Sequence, residues 1–446
     1  MPIGLRTRVP GAVTIEVEFV GGRAVVLATV DGSERKGALT SVAAEQLAAA
    51  AHAARERRIP LVASIASSGA DIVEGMSALH GWGVAAQALA SCSGIVPTVM
   101  IVAGPAVSGP ALLLGLADHV IFTEDSYAFV SGPTMVAEFT GEQLDNAKLG
   151  GSATHARASG VATAVVRTPA EALDLVEYLL SFYPDSTNEL PPVVPTDDPA
   201  HRLTPEAGDL LPILSTGSYD VRDIVRVLAD DGEFFELRAG WAPNMVTGLA
   251  RIGGRSVGVV ANQPVAIAGT LDIPASQKAA RFVATCDAFN QPILTLVDTP
   301  GFYPGKDLEW RGMIRHGAQL VYAYATASVP RICLILRKSY GGAYIVMDSK
   351  RMGNDLCLAW PGAELAVMGA GQAAAILQRR ASPEARAAFE ADYSERLLNP
   401  YIAADRGLVD AVIEPADSRS IIADALMLLE SKRELLGARK HGNTPL

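Results

Sequence analysis

The sequence predicts an α/β chain in which one layer pattern occurs twice in tandem. Three observations predict it. An order of buried strand, glycine turn and helix runs from the N-terminus to Pro133, and it recurs between Val257 and Ala370. A segment richer in Pro, Asp and Thr, from about Pro184 to Gly217, separates the two and reads as a surface linker. At 446 residues the chain exceeds the size at which one core usually stops growing, and with 49% hydrophobic against 19% charged residues it has the material for two. The expected domains are 1–200 and 201–446, divided within 184–217.

The elements follow in order. Residues 12–30 alternate through Val13, Ile15, Val17 and Phe19 and then run Ala24-Val25-Val26-Leu27-Ala28, with Gly21-Gly22 between, which predicts a hairpin. An Ala-rich helix over about Ser41–Arg58 leads to a buried strand, Leu61–Ile65, that ends in Ser67-Ser68-Gly69 before a helix carrying Glu74 and Leu79. A second apolar run, Pro97–Ala103, leads into Gly104-Pro105-Ala106-Val107-Ser108-Gly109-Pro110-Ala111, then a helix Leu112–Leu116, strands His119–Phe122 and Tyr127–Val130, and the turn Ser131-Gly132-Pro133. The second copy reads as strand Val257–Ala261, helix Ser276–Phe289, strand Ile293–Val297 closing at Asp298-Thr299-Pro300-Gly301-Phe302, and a helix from Ile314 to Ala327. Its centre is Arg331–Ala370: a strand Ile332–Leu336, a turn through Arg337-Lys338-Ser339-Tyr340-Gly341-Gly342-Ala343, a short helix Tyr344–Met347, and strands Cys357–Trp360 and Glu364–Met368. Ala370–Leu398 reads as a solvent-flanked helix, Ala403–Ile413 as a segment ending in apolar residues, and a charged helix runs to about Leu436.

Two glycines between a buried strand and a helix start have a direct physical use. The backbone turns sharply there, and the helix's first N–H groups, lacking intrahelical acceptors, can meet an anionic oxygen. A tight turn that only packs closely is the other reading of the same residues. In the duplication, Ser108-Gly109 corresponds to Gly342-Ala343 or its neighbours, and Gly132 to Gly369, so any site comes as a pair.

Composition excludes several classes. A net charge of −11 argues against nucleic acid or an anionic membrane as principal partner. The four cysteines, Cys92, Cys286, Cys333 and Cys357, are scattered and form neither a zinc ribbon nor a disulfide framework. No signal peptide and no apolar run of membrane-spanning length is evident, so a cytoplasmic location is expected. Ser68 lacks a nucleophile-elbow pattern, and the seven histidines are dispersed. His316 is the candidate general base, or else a structural hydrogen-bonding group.

Trp241-Ala242-Pro243-Asn244-Met245-Val246-Thr247-Gly248, Ala261-Asn262-Gln263-Pro264, Lys278-Ala279-Ala280-Arg281-Phe282 and Asp298-Thr299-Pro300-Gly301-Phe302-Tyr303-Pro304-Gly305 precede Ser339-Tyr340-Gly341-Gly342-Ala343-Tyr344-Ile345-Val346-Met347 in that order. Together they resemble the carboxyltransferase β subunits of biotin-dependent acyl-CoA carboxylases, of the propionyl-CoA and acetyl-CoA type. The likeness is dense from about Tyr219 to Gly369 and returns at Asn399-Pro400-Tyr401 and Ala404-Asp405-Arg406-Gly407. The N-terminal half departs from it. Ser67-Ser68-Gly69-Ala70-Asp71 stands where relatives usually carry Ser-Gly-Gly-Ala-Arg, although Glu74-Gly75 remains; Ser108-Gly109 stands for Gly-Gly, and most of the family's helical N-terminal segment is lacking. An Asp beside a CoA path is expected to repel phosphate.

The resemblance implies two tandem crotonase-like domains, an acyl-CoA side followed by a biotin side. It implies transfer of a carboxyl group from N1 of carboxybiotin to the α-carbon of a short-chain acyl-CoA, through two backbone oxyanion holes and without a side-chain base. Gly342 and Ala343 would face the biotin oxygen, and Ser108 and Gly109 the thioester oxygen, with the Ser108 N–H retained as a donor. Ser68, Gly69, Ala70, Gly132, Pro133, Gly301, Phe302, Tyr340 and Ile345 would bind substrate, Ile345 helping to set acyl size. The implied cofactor is biotin on a biotin carboxylase/biotin carrier partner, and the implied substrate a coenzyme A thioester, with no metal. The implied assembly is a homo-hexamer, a trimer of dimers, with paired turns coming from different protomers. Lys278 and Arg281 are phosphate-attracting residues or an exposed helical face, and Arg337 and Lys338 a positive rim. The alternative is a same-fold subunit acting as a malonyl-type thioester decarboxylase or as a non-catalytic partner.

Overall fold

Gly21 and Gly22, at φ 56° and 79°, close the first hairpin, because two successive left-handed residues match the twist of the strands they join. From that hairpin a sheet grows by parallel addition. A computed structural model gives the structure, describing residues 13–33, 35–214, 216–432, 434, 437 and 440–445, and the backbone alone at 7–8. The chain divides into two compact units, Met1–Pro192 with Arg238–Trp241 and Ala288–Asn290, and Val193–Leu237 with Ala242–Asp287 and Gln291–Leu446.

Unit 1 contains strands β1 (Thr7–Arg8), β2 (Val13–Val20), β3 (Arg23–Val30), β4 (Leu61–Ser67), β5 (Thr98–Val107), β6 (His119–Thr123), β7 (Tyr127–Phe129) and β8 (Ala164–Val166). They lie in the order β1-β2-β3-β4-β5-β6-β8, with β7 on the far end of β5. From β3 onward the strands pair in parallel, and helices cover the sheet, which is why β4, β5 and β6 read as unbroken apolar runs. Helix α1 (Ser41–Arg57) starts at Thr40, whose hydroxyl accepts from Ala43 N, and buries an alanine face against the sheet. Its small residues let α2 (Met76–Ala90) approach until a Cβ on Gly81 would touch Ala44 Cβ at 3.0 Å. Two short helices, α3 (Gly109–Leu114) and α4 (Pro133–Thr140), follow β5 and β7.

Unit 2 repeats this strand for strand. Its β9 (Phe234–Glu236), β10 (Met245–Ile252), β11 (Arg255–Asn262), β12 (Ile293–Thr299), β13 (Arg331–Tyr340), β14 (Leu356–Ala359), β15 (Glu364–Ala366) and β16 (Ala411–Val412) lie in the order β16-β14-β13-β12-β11-β10-β9, with β15 on the far end of β13. Helices α5 (Val221–Leu228), α6 (Ile273–Ala288), α7 (Met313–Thr326), α8 (Gly341–Val346), α9 (Ala370–Leu377), α10 (Pro383–Leu397), α11 (Pro400–Asp405) and α12 (Ser418–Leu428) pack around it.

The duplication extends to an irregularity in the ladder. Between β4 and β5 the register steps from Ile65↔Val102 to Ser67↔Ala106, so Ala66 alone faces residues 103–105. Between β12 and β13 it steps from Val297↔Ile335 to Thr299↔Ser339, so Asp298 alone faces residues 336–338. Beyond the step each long strand changes partner, β5 from β6 to β7 and β13 from β14 to β15. The two steps put Ser108 and Gly341 in equivalent places, and both have φ 62°. Gly109 then matches Gly342. Likewise Gly132 and Gly369 are equivalent N-caps of α4 and α9.

Several expectations need correction. The strand read as Ile332–Leu336 continues to Tyr340, and Arg337, read as part of a positive rim, is buried against Asp298. Strand β10 escaped the sequence reading because Gly248 breaks its pattern, and a Cβ there would lie 2.5 Å from Phe235 O of β9. The supposed surface linker is largely fixed on unit 2: Val194 N donates to Gly254 O, Thr204 and Ala207 are fully buried, and buried Arg419 reaches Pro199 O and Asp230. Ala370–Leu398 is two helices, α9 and α10, the second capped by Ser382. The last helix ends at Leu428, and Leu436 lies outside the described residues.

Ser108 keeps φ 62°, ψ −122°, a conformation costing an L-residue about 1–3 kcal/mol. Ser108→Gly should remove that strain against about 0.5–1 kcal/mol of extra chain entropy. A melting midpoint about 2–4 °C higher is expected; an unchanged or lower midpoint would contradict the strain.

Candidate active site

In unit 2 the site is assembled at the C-terminal ends of β12 and β13. Past the register step β13 carries Tyr340 and delivers Gly341-Gly342-Ala343 as the first turn of α8, where N–H groups have no intrahelical acceptors and no cap side chain answers them. Beyond β12, the bridge between Leu271 and Phe302 holds the Gly301-Phe302 turn, with Leu271 N donating to Gly301 O at 3.1 Å and Tyr303 N to Leu271 O at 2.9 Å. Phe302 thereby lies beside the glycines, its Cε2 3.7 Å from where a Cβ on Gly342 would be. A cavity of about 450 Å³ opens next to this turn; Gly341, Gly342, Ile345, Val367 and Tyr393 line it, with Arg406 exposed among them.

Helix α8 is tied back to the start of its own strand. Arg331, first residue of β13, holds Asp348, just beyond α8, at 2.5 Å and Gly353 O at 2.6 Å, and both ionic partners are buried. Burial pushes the Asp348 carboxyl up to about 6, with Arg331 opposing.

In unit 1 the equivalent turn comes from β4 and β5. Gly69, at φ 109°, sits so close that a Cβ would lie 3.3 Å from Val107 O and 3.7 Å from Ser108 Cβ, which brings Ser68-Gly69-Ala70 against Ser108-Gly109. A Cβ on Gly109 would meet Trp82 at 2.9 Å. Gly132 and Pro133 begin α4 three residues beyond Phe129.

The scan with family models matches a carboxyl transferase domain over residues 12–444. The chain belongs to the carboxyl transferase family. It is 42% identical over 430 residues to the propionyl-CoA carboxylase beta chain of Roseobacter denitrificans, covering 96% of this chain and 84% of that one. It is 40% identical over 435 residues to the methylmalonyl-CoA decarboxylase subunit alpha of Propionigenium modestum, with the same coverage. The solved structure of the transcarboxylase 12S subunit, with methylmalonyl-coenzyme A and methylmalonic acid bound, superposes with a TM-score of 0.95 at 40% identity, over 98% of this chain and 85% of that one. The two units are thus a duplicated crotonase-like fold, and the chain is an enzyme, a carboxyltransferase.

The carboxyltransferase departs from sequence expectation at particular residues. The Ser108 N–H is not available: it donates to Phe129 O at 2.9 Å. Pro110 has no N–H, so Gly109 carries the first-turn donor of α3 that lacks an intrahelical acceptor. Asp71 does not face solvent as a repulsive charge; it is buried and paired with Arg35 at 2.6 Å. Tyr340 does not line the cavity that Ile345 lines. Its hydroxyl donates to Glu364, and it lines a second pocket of about 460 Å³ with Asn399 and Tyr401. Lys278 is buried, with Nζ 3.5 Å from Ala242 O, so the exposed-face reading fails there. His316 is half-buried beside Gln277 and Gln319. The sequence reading missed Tyr393, Leu397, Ile402 and Arg406 as cavity residues. The Ala404–Gly407 motif was the available signal for the last.

The Asp348 carboxyl has a folded pKa above its unfolded value of about 3.9. Folding therefore takes up a proton between about pH 4 and 6, and this group's contribution to stability falls as pH rises through that window. Compared with Asp348→Asn across it, the wild type should lose up to about 1.4 kcal/mol per pH unit. Parallel stability–pH curves for the two proteins would contradict this.

Proposed function

We propose that the chain is the carboxyltransferase component of a biotin-dependent acyl-CoA carboxylase, taking a carboxyl group from carboxybiotin on a biotinylated partner subunit and placing it on the α-carbon of a short-chain acyl-CoA. One observation carries the proposal. Two equivalent strand-to-helix turns, each following the same register step and each entered at φ 62°, begin helices whose first turn has no side-chain cap. The reaction needs such a pair. The N1–carboxyl bond of carboxybiotin breaks, a carbon–carbon bond forms at the α-carbon, and the α-proton ends on biotin. Negative charge builds on the ureido oxygen of one reactant and on the thioester oxygen of the other. Preorganised donors where charge develops contribute about 3 kcal/mol each.

In this reading Gly342 and Ala343 donate to the ureido oxygen. The apolar cavity beside them, with Ile345 and Phe302, receives the ring or the acyl chain, and Gly301 gives the backbone room. Gly109 donates to the thioester oxygen, and Ser68, Gly69, Ala70, Gly132 and Pro133 border the acyl-CoA path. Arg35 removes the charge that Asp71 would otherwise set against the CoA phosphates. No side-chain base is needed if the departing biotin takes the proton, and the amide neighbours of His316 suit a structural role. The 12S relative is described as a hexamer. We extend a hexamer to this chain and arrange it as a trimer of dimers; exposed apolar residues such as Ile314, Val367, Ile376 and Leu377 supply material for its interfaces.

A second reading runs the same steps in reverse, removing carboxyl from a malonyl-type thioester; the 40% identity to a methylmalonyl-CoA decarboxylase subunit favours it. Assay with the biotinylated partner, ATP, bicarbonate and a panel of acyl-CoAs separates the two, since only the first consumes bicarbonate. Gly342→Val places a branched side chain beside Phe302, over the donors. Carboxyl transfer should fall roughly a hundredfold while the protein stays folded. Ser108→Ala should be mild, because the Ser108 hydroxyl is not used. Abolished turnover in Ser108→Ala with Gly342→Val intact would overturn the backbone-donor reading.

A further inference from the structure

The register step is the same in both units, but what fills it differs. In unit 1, Ala66 stands opposite Gly104, and a Cβ on Gly104 would lie 3.1 Å from Ala66 Cβ, so the step is filled by one methyl group against bare backbone. The equivalent residues of unit 2 are Asp298 and Arg337, at 1% and 7% exposure. Asp298 Oδ2 accepts from Arg337 Nε at 3.0 Å and from Tyr219 OH at 2.9 Å, and its Oδ1 accepts from Lys338 N at 3.1 Å. Arg337 Nη1 donates to Gly217 O at 2.7 Å, and its guanidinium lies 5.1 Å from the Tyr219 ring centroid. Asp298 N in turn donates to Asn262 Oδ1 at 3.3 Å, tying the step to β11.

We propose that the Asp298–Arg337 pair is a positioning device for the turn that presents Gly342 and Ala343, in place of the close packing of Ala66 on Gly104 that serves unit 1. The inference rests on the reading of that turn as an anion site. Lys338, whose N–H the Asp298 carboxylate fixes, lies three residues before Gly341, so the carboxylate sets where β13 leaves its ladder. A buried ion pair gains little net stability over an apolar filling of the same volume, and unit 1 makes the step without one. What the pair adds is direction: three donors converge on one carboxylate, and displacing β13 would carry the Gly342 and Ala343 N–H groups with it. A misplacement of about 1 Å in a reacting group can cost a hundredfold in rate.

The test compares Asp298→Asn, the double variant Asp298→Ala/Arg337→Gly that copies unit 1, and Gly342→Val in the assembled enzyme. Asp298→Asn keeps the shape and the acceptor for Lys338 N but loses the charge that holds Arg337. Its kcat for carboxyl transfer should fall at least tenfold with KM for the acyl-CoA within twofold, and the double variant, which leaves no unpaired charge, should recover at least a third of the lost rate. If Asp298→Asn does not fold, the double variant decides: kcat within about threefold of wild type supports the inference, and a collapse as deep as that of Gly342→Val overturns it. Full activity in Asp298→Asn with loss in Gly342→Val overturns the positioning role and leaves the anion site standing. Full activity in Gly342→Val overturns both. A loss in Asp298→Asn shared between kcat and KM marks general destabilisation and also overturns the inference.

Discussion

Everything in this protein depends on one backbone constraint, a parallel ladder in which a single residue is made to face three. Paired parallel strands cannot absorb that excess without bending, so the long strand swings out of its first pairing and takes a new partner beyond the step. The swing points the strand's end at the helix that follows, and it requires a left-handed residue at the junction. The turn that the proposed anion site uses is thus set by sheet geometry, before any side chain is chosen.

The two units solve the same geometric problem with different chemistry. Unit 1 fills the step with Ala66 against Gly104, accepts a serine at φ 62°, and follows Gly109 with a proline that removes a donor. Unit 2 fills it with an ion pair, places glycine at the left-handed position, and keeps N–H groups on both Gly342 and Ala343. Burial raises the Asp298 carboxyl above the ordinary carboxylate range while Arg337 and Tyr219 oppose, so the pair is held against its own desolvation cost. Duplicated ancestry is expected to give such a pattern, with the ladder kept and its filling replaced.

Much of the fold was legible because parallel strands buried on both faces are written as apolar runs, and Leu61–Ile65, Ile293–Val297 and Ile332–Leu336 could be read directly. The turns were legible through their glycines. What stayed hidden depended on partners far away in sequence. Arg337 reads as surface until Asp298 is placed beside it, and Asp71 reads as a bare charge until Arg35 arrives from a loop 36 residues earlier. Gly248 reads as a strand breaker although it serves the close passage of Phe234 and Phe235. In the site, the available donors are backbone groups, and sequence could name the turn without telling which N–H was already spent. Ser108 shows the difference: the hydrogen bond to Phe129 O belongs to β7, and no motif at residue 108 records it.

The central claim is that the unit 2 turn holds an anionic oxygen through the N–H groups of Gly342 and Ala343. A crystal structure of the protein with free biotin tests it most directly. The account predicts the ureido oxygen at hydrogen-bond distance, about 2.7–3.2 Å, from Gly342 N and Ala343 N. Biotin bound with its ureido oxygen turned to solvent or to a side chain, and both N–H groups unengaged, would contradict it.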